Sequence, residues 1–175
     1  FSELMKMLSL KNFDNILKHP NKKEIFLIIF PELKHLKRLE KLKKIKNYFT
    51  LNNVNLLAIL ITDDSDNYEY FGYKYNISNN SKYILKKFNA CYKILKKDKR
   101  FFKQNLYKNI YIYGKENMSF LLALNFTENS KILLSEFLNI NKKIKNCKIL
   151  KLPFDGNYLI ENGLDQGVLV GHVLK

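Results

Sequence analysis

Long stretches of this chain repeat apolar residues at the spacing of an α-helix. Two series with the spacing i, i+4, i+7, i+11 predict helices over 79–97 and 128–146: Ile84, Phe88, Cys91 and Leu95, then Leu133, Phe137, Ile140 and Ile144. Only six glycines and three prolines occur in 175 residues, which favours long helices over a turn-rich β fold. We therefore predict an all-α fold, an elongated bundle of roughly eight to ten helices without a substantial sheet.

Shorter helices are predicted elsewhere in the chain. The apolar run at 54–62 indicates a buried helix. Ser78 is a typical N-cap for the helix over 79–97. Gly114 ends the helical pattern over 100–113. The segment 116–126 predicts a helix with three residues facing the core: Met118, Leu121 and Leu122.

The N-terminal region predicts three short helical pieces. The segment 2–8 is amphipathic, and 13–19 and 22–30 are helical turns separated near Pro20. In the last of these, three isoleucines share one helical face, which we expect to face the core: Ile25, Ile28 and Ile29.

Between positions 33 and 45 an aliphatic residue recurs at every third position: Leu33, Leu36, Leu39, Leu42 and Ile45. Five such positions spread over about 240° of an α-helix, so the segment must bend or pack against two neighbours. Five cations fall within about 120° of one face: Lys34, Lys37, Arg38, Lys41 and Lys44. This is either a solvated face or a face that contacts phosphates.

The net charge of +15 indicates a polyanionic partner, and nucleic acid comes first. Arg38 and Arg100 are the only arginines among 31 cationic residues, so phosphate attraction is favoured over bidentate base reading. The same lysine-rich, asparagine-rich composition also arises from AT-rich coding, which leaves part of the charge open to a non-functional origin.

Aromatic residues and lysines alternate between positions 100 and 113. The residues concerned are Phe101, Phe102, Tyr107, Tyr111 and Tyr113, with Lys103 and Lys108. Such a segment either clamps single-stranded RNA or forms a core stripe with a wet edge.

The sequence contains no constellation typical of a catalytic or metal site. The three histidines are scattered, and there is no glycine-rich phosphate loop. The pair Asp64 and Asp66 is interpreted as a polar loop between helices, because no glycine-rich segment precedes it. We expect Cys91 and Cys147 to be reduced thiols.

The longest apolar runs, 25–30 and 56–61, are far below the roughly 20 residues of a membrane span, so no membrane partner is predicted. No signal peptide is visible, and we expect a protein that is not secreted. Because the chain starts at Phe1 rather than at a methionine, we expect it to be a piece of a longer protein.

The C-terminal region carries most of the glycines. A turn around Pro153 and Gly156, with Asn157 as N-cap, predicts one short helix over 158–160. Gly163 suits the left-handed position that closes this helix. Gln166 and Gly167 open a second predicted helix, and Gly171 inside it indicates close approach of another backbone.

This glycine pattern resembles the tail motif of the CCA-adding enzymes, tRNA nucleotidyltransferases related to bacterial poly(A) polymerases. The matching positions are Pro153, Gly156 and Leu159, then Gly163, Leu164 and Gly167, then Val170, Gly171 and Leu174. Val168 departs from the family, where proline is common. Weaker likenesses extend along the chain, such as the segment Phe30, Pro31, Glu32 and Leu33.

The resemblance implies that 1–62 holds the end of the neck and body helices, and 63–175 the remaining body helices and the tail. It implies that the catalytic head lies upstream of Phe1, so no catalytic or metal-binding residue is expected here. Magnesium with CTP and ATP would act in that head, adding CCA to the 3′ end of tRNA. This chain would bind the acceptor and TΨC arms of tRNA through cationic side chains that contact the RNA backbone.

Two groups of RNA-binding residues are predicted on this basis. The first is the C-terminal group: Lys142, Lys143, Lys145, Lys148, Lys151, Asn157, Gly163, Gln166, Gly167 and Gly171. The second is the cationic face over 34–44. Two alternatives stay open, a poly(A) polymerase fragment or a non-enzymatic helical RNA-binding or scaffold protein. The expected compartment is the cytoplasm or an organelle, either mitochondrion or plastid.

Overall fold

The computed structural model describes residues 1–10, 13–49, 51–148 and 156–167. Within this part the chain forms ten α-helices, one 3₁₀ helix at Phe13–Lys18 and no strand, which confirms the predicted all-α bundle. The helices are α1 Ser2–Ser9, α2 Pro20–Ile29, α3 Arg38–Ile45, α4 Asn53–Ile61, α5 Asn67–Lys74, α6 Asn79–Lys97, α7 Leu106–Tyr113, α8 Lys115–Glu128, α9 Leu134–Asn146 and α10 Gly156–Glu161.

Helix α8 is the central element of the bundle. Its buried residues lie on all sides of the helix, so it has no single apolar stripe. It packs against α3, α6, α7 and α9. Met118, Leu121 and Leu122 are fully buried, as predicted, and Phe120 stacks on Phe88 of α6 with ring centroids 3.7 Å apart.

Helix α6 begins and ends at the predicted residues. The Ser78 side chain caps it by accepting a hydrogen bond from the Ser81 backbone N–H, as expected. Phe88 and Cys91 of the predicted core face are buried, while Ile84 and Leu95 are partly buried against the same core. The periodicity therefore identified the face correctly, and its two outer positions lie at the edge of the packing.

The three-residue repeat between Leu33 and Ile45 begins in turns, which hold Leu33 and Leu36, and continues in α3. Residues 31–37 form consecutive turns before α3 begins, with i to i+3 hydrogen bonds such as Arg38 N–H to the His35 carbonyl at 2.9 Å. Turns of this kind have three residues per turn and place every third side chain on one side. All five aliphatic residues of the repeat are buried.

The predicted core face of α2 is wrong. Ile25, Ile28 and Ile29 are 57%, 73% and 56% exposed, whereas Phe26 is 3% exposed. Phe26 packs edge-on against Phe13 of the 3₁₀ helix, with ring centroids 5.5 Å apart. Aromatic packing fixes the rotation of α2 and turns the isoleucines outward.

Two other predicted boundaries differ from the structure. Helix α9 begins at Leu134 rather than 128, and Leu133 is 67% exposed at its N-cap. The segment just after the predicted division, 63–75, contains helix α5, whose Tyr68 and Phe71 belong to the same buried cluster as residues of α3 and α8. The division at position 62 stays a prediction.

Candidate nucleic-acid interface

The structure brings part of the two predicted lysine groups to one end of the bundle. Tyr48 follows α3, and its backbone carbonyl accepts hydrogen bonds from Lys145 Nζ at 3.3 Å and Asn141 Nδ2 at 3.5 Å on α9. The residues that meet here are 97 and 93 positions apart in the sequence. The C-terminal end of α3 therefore lies beside the C-terminal end of α9.

Helix α8 completes this end of the bundle. Lys115, its first residue, donates a hydrogen bond from Nζ to the Lys145 carbonyl at 2.9 Å. At the opposite end of α8, Glu128 forms an ion pair with Arg38, the first residue of α3. Both α3 and α9 therefore run antiparallel to α8.

We define the lysine end as Lys44 with four lysines from the end of α9 and the residues after it: Lys142, Lys143, Lys145 and Lys148. All of them are exposed. Lys44, Lys143 and Lys145 lie in the last turns of their helices, where the negative end of the helix dipole stabilises cations. None of the ion pairs between described residues involves a member of the lysine end.

A shallow cavity of about 300 Å³ lies at the lysine end. Its lining combines amide groups, lysines and one aromatic ring: Asn47, Tyr48, Leu138, Asn141, Lys142, Lys145 and Asn146. Tyr48 is 45% exposed. Such a surface offers cations for phosphate oxygens together with a ring for stacking, which suits contacts to a nucleic-acid backbone.

The predicted cationic face over 34–44 does not act as one surface. Lys34, Lys37 and Lys44 are exposed and Lys41 is half-buried. Arg38 is buried, with 6% exposure, so its assignment as an RNA-binding residue is wrong. Lys34 and Lys37 lie in the turns before α3 and Lys44 lies at its end, about 12 Å along an eight-residue helix.

Arg38 is held by partners from two other helices, α4 and α8. Its Nη1 donates to the Thr62 carbonyl at 2.7 Å and to the Ile59 carbonyl at the end of α4, and its Nη2 pairs with Glu128. Tyr92 Oη also donates to Glu128, at 2.8 Å. Burial, together with this bond to Glu128, raises the pKa of Tyr92 to about 12, so the phenol stays protonated at neutral pH.

The described part of the C-terminal motif contains the predicted helix and its glycine stop. Helix α10 ends in a Schellman turn, in which Leu164 N–H bonds to the Leu159 carbonyl at 2.9 Å and Gly163 N–H to the Ile160 carbonyl at 3.0 Å. Gly163 has φ +96°, as its predicted left-handed position requires. Asn157 lies inside α10, so its assignment as the N-cap is wrong.

The remaining predicted residues of this motif either follow α10 or lie outside the described residues. Gln166 and Gly167 are exposed and follow α10 in a bend. Lys151 and Gly171 lie outside the described residues, as does the predicted second helix. Of the predicted C-terminal site, the structure therefore describes α10, the turn at Gly163 and the residues up to Gly167.

The alternating aromatic and basic segment has the buried stripe and exposed edge of one predicted alternative, and RNA clamping stays a prediction. Phe101 is 1% exposed and belongs to the core, whereas Tyr107 and Tyr111 are 61% and 57% exposed on α7. Gly114, with φ +78°, ends α7 as expected. The inner residues form the core stripe, and the outer tyrosines are available for stacking.

The acidic loop over 63–66 carries its own hydrogen bonds. Asp63 accepts from the Ser65 backbone N–H at 2.9 Å and lies 3.7 Å from His35 Nε2. Burial works to raise the pKa of Asp63, but the bonds from Ser65, together with the charges of His35 and Lys34, lower the pKa overall. The prediction that Asp64 and Asp66 lie in a polar loop between helices is confirmed.

Neither metal nor membrane features occur in the described part of the chain. No group of three or more histidine, cysteine, aspartate or glutamate residues there could hold a metal ion. None of the described helices combines the length and apolar character of a membrane span. Cys91 and Cys147 are both free thiols, as predicted.

The sequence did not indicate that Tyr48 and Lys115 contact residues of the lysine end. Tyr48 follows a lysine-rich helix, and Lys115 follows Gly114 at a helix start, so neither has a distinguishing local pattern. Only the antiparallel packing of α3 and α9 on α8 brings them together.

Comparison with known proteins adds no relative. No protein-family model, curated protein or solved structure matches this chain.

Proposed function

We propose that this chain is the RNA-binding C-terminal portion of a tRNA nucleotidyltransferase that adds CCA to tRNA. The glycine pattern of the C-terminal region carries the family assignment, and the all-α fold is consistent with it. On this proposal the reaction occurs in a head domain outside this chain, with magnesium, CTP and ATP. The protein acts in the cytoplasm or in an organelle that matures its own tRNA.

The observation that best supports the proposal of RNA binding is the contact between Lys145 and Tyr48. It joins the end of α9 to the end of α3, so lysines from two distant parts of the sequence form one cationic surface. A-form RNA hides its bases in a deep major groove, and proteins grip it mainly through phosphates and 2′-hydroxyls. A lysine surface with an exposed tyrosine fits that kind of backbone contact.

A competition experiment tests which arm of tRNA the chain recognises. A labelled tRNA is bound to the 175-residue chain, and three unlabelled RNAs compete: the acceptor–TΨC minihelix, the anticodon stem-loop and a blunt duplex of equal length. We expect the minihelix to compete about as well as tRNA, and the other two at least tenfold less well. Equal competition by all three would reject recognition of the acceptor arm and leave a general RNA-binding protein.

Catalysis is tested separately on the same chain. Incubation with tRNA lacking CCA, magnesium, CTP and ATP is expected to give no incorporation of CMP or AMP. Incorporation would contradict the assignment of catalysis to a missing head. A poly(A) polymerase of the same superfamily predicts the same inactivity but no preference for the acceptor–TΨC minihelix, so the two assays together separate the alternatives.

A further inference from the structure

A large cavity in the described structure lies away from the lysine end. It has a volume of about 660 Å³ and opens between the end of α6, the turns over 98–105, the end of α8 and the first half of α9. This volume is within the range of sites that bind small molecules. Neither the resemblance nor the proposed RNA interface gives it a role.

The charges around this cavity are unevenly satisfied. Four lysines and three carboxylates line it. Lys96 bonds to Glu128 at 3.1 Å, and Glu128 is also held by Arg38 and Tyr92. Asp98 accepts from Asn105 Nδ2 at 2.9 Å and from the Arg100 backbone N–H at 2.8 Å.

Three cations therefore remain for a ligand. Lys99, Lys103 and Lys131 are exposed at the cavity and take part in none of the ion pairs between described residues. Two of the lining carboxylates, Asp98 and Glu136, also have no such pair. Lysines without an ion pair thus outnumber carboxylates without one by three to two, and Asp98 already accepts two hydrogen bonds, which favours an anionic ligand.

The cavity lining also includes apolar and aromatic side chains. Phe102 is half-buried and packs edge-on against Phe101, with ring centroids 5.0 Å apart, which fixes its orientation. Ile132 and Ile140 line the same cavity and are partly buried against the core. A flat apolar group can pack there while its charged end reaches the lysines.

We propose that this cavity binds a nucleotide, with the phosphate at Lys99, Lys103 and Lys131 and the base against Phe102. Glu136 accepts a hydrogen bond from a ribose hydroxyl or an exocyclic amine. The ligand is a nucleoside monophosphate unit, either free or as an unpaired nucleotide of RNA. The inference goes beyond the proposed function and does not depend on it, because the cavity is separate from the lysine end.

The test uses AMP, inorganic phosphate and adenosine as probes of the 175-residue chain, with calorimetry and NMR of the phenylalanine rings. We expect one AMP per chain, bound at least about tenfold more tightly than phosphate or adenosine, with Phe102 signals shifted. The double variant K103Q/K131Q should weaken AMP binding about tenfold, and Phe102→Leu should weaken adenosine and AMP alike. The matched control K82Q/K86Q removes two exposed lysines of α6 and should bind AMP normally.

Three results would overturn the nucleotide site: no saturable AMP binding, wild-type affinity in K103Q/K131Q, or shifts confined to residues outside the cavity. Displacement of AMP by an RNA duplex with an unpaired 3′ nucleotide, but not by a blunt duplex, identifies RNA as the source. Failure of both duplexes to displace AMP identifies a free nucleotide. AMP binding without any preference for the acceptor–TΨC minihelix would remove the proposed function and leave this inference standing.

Discussion

Arg38 and Glu128 are 90 positions apart in the sequence and form an ion pair inside the bundle, at 7% and 19% side-chain exposure. The pair connects the start of α3 to the end of α8. Because Arg38 also bonds to the carbonyls of Ile59 and Thr62, it ties α4 to the same point. Burial lowers the pKa of Arg38 and Glu128 opposes that effect, and the guanidinium stays charged.

Replacing Arg38 by methionine is expected to destabilise the fold by about 3–5 kcal/mol, because Glu128 loses a charged partner and two carbonyls lose their donor. Urea unfolding followed by circular dichroism measures this free energy. Lys37→Met is the matched control, since Lys37 is adjacent and exposed, and we expect a change within about 0.5 kcal/mol. Equal loss in both variants would mean that the buried pair contributes little.

The rotation of α2 gives a second prediction. Phe26→Ala should destabilise the fold by about 3–5 kcal/mol, because a buried ring packed on Phe13 and Phe30 is removed. Ile28→Ala should change the free energy of unfolding by less than about 0.5 kcal/mol, since its side chain is 73% exposed. The reverse order in thermal or urea unfolding would restore the isoleucine face as the core face.

His35 predicts a loss of stability on mild acidification. Burial, reinforced by the charge of Arg38, lowers its pKa from 6.5, although Asp63 and Glu128 act in the opposite direction. A histidine whose pKa is lowered by folding contributes stability that is fully present above about pH 6.5 and is lost as pH falls towards the folded pKa. Urea midpoints between pH 7.5 and 5 should fall in the wild type and fall less in His35→Gln. Parallel curves for the two proteins would exclude His35 as the cause.

Two glycines predict opposite effects of alanine. Gly163→Ala should fray the end of α10, because φ +96° is strained for alanine by about 1 kcal/mol. Gly72→Ala lies within α5, where the added Cβ meets ordinary contacts at 3.5 Å, and should stabilise that helix by about 0.5–1 kcal/mol. Hydrogen exchange of the Leu164 amide reads the first effect, and thermal unfolding the second. Unchanged Leu164 exchange would show that the glycine stop does not hold α10.

The sequence was sufficient for the local features of this fold. Helical periodicity located α6 and α8, and Ser78 and Gly163 act as predicted because a side-chain oxygen and a positive φ are local requirements. The sequence showed the three-residue repeat but not that Leu33 and Leu36 lie in turns before α3, because turns and helices differ by a small change in period.

The long-range features were beyond the sequence. Spacing alone put Arg38 among the exposed lysines, because its burial depends on Glu128 in a distant helix. Ile25 and Ile29 had a correct helical spacing, yet the Phe13–Phe26 contact decides which face of α2 is buried. The junction of Tyr48 with Lys145 likewise follows from the packing of three helices and has no local signal.

The central claim is that lysines at the joined ends of α3 and α9 neutralise RNA phosphates. The most direct measurement is the dependence of tRNA affinity on salt concentration, for the wild type, for K142Q/K145Q and for the control K82Q/K86Q. Each lysine–phosphate contact adds about one unit to the slope of log affinity against log salt. We predict a slope about two units shallower for K142Q/K145Q and an unchanged slope for the control; identical slopes in all three proteins would contradict the claim.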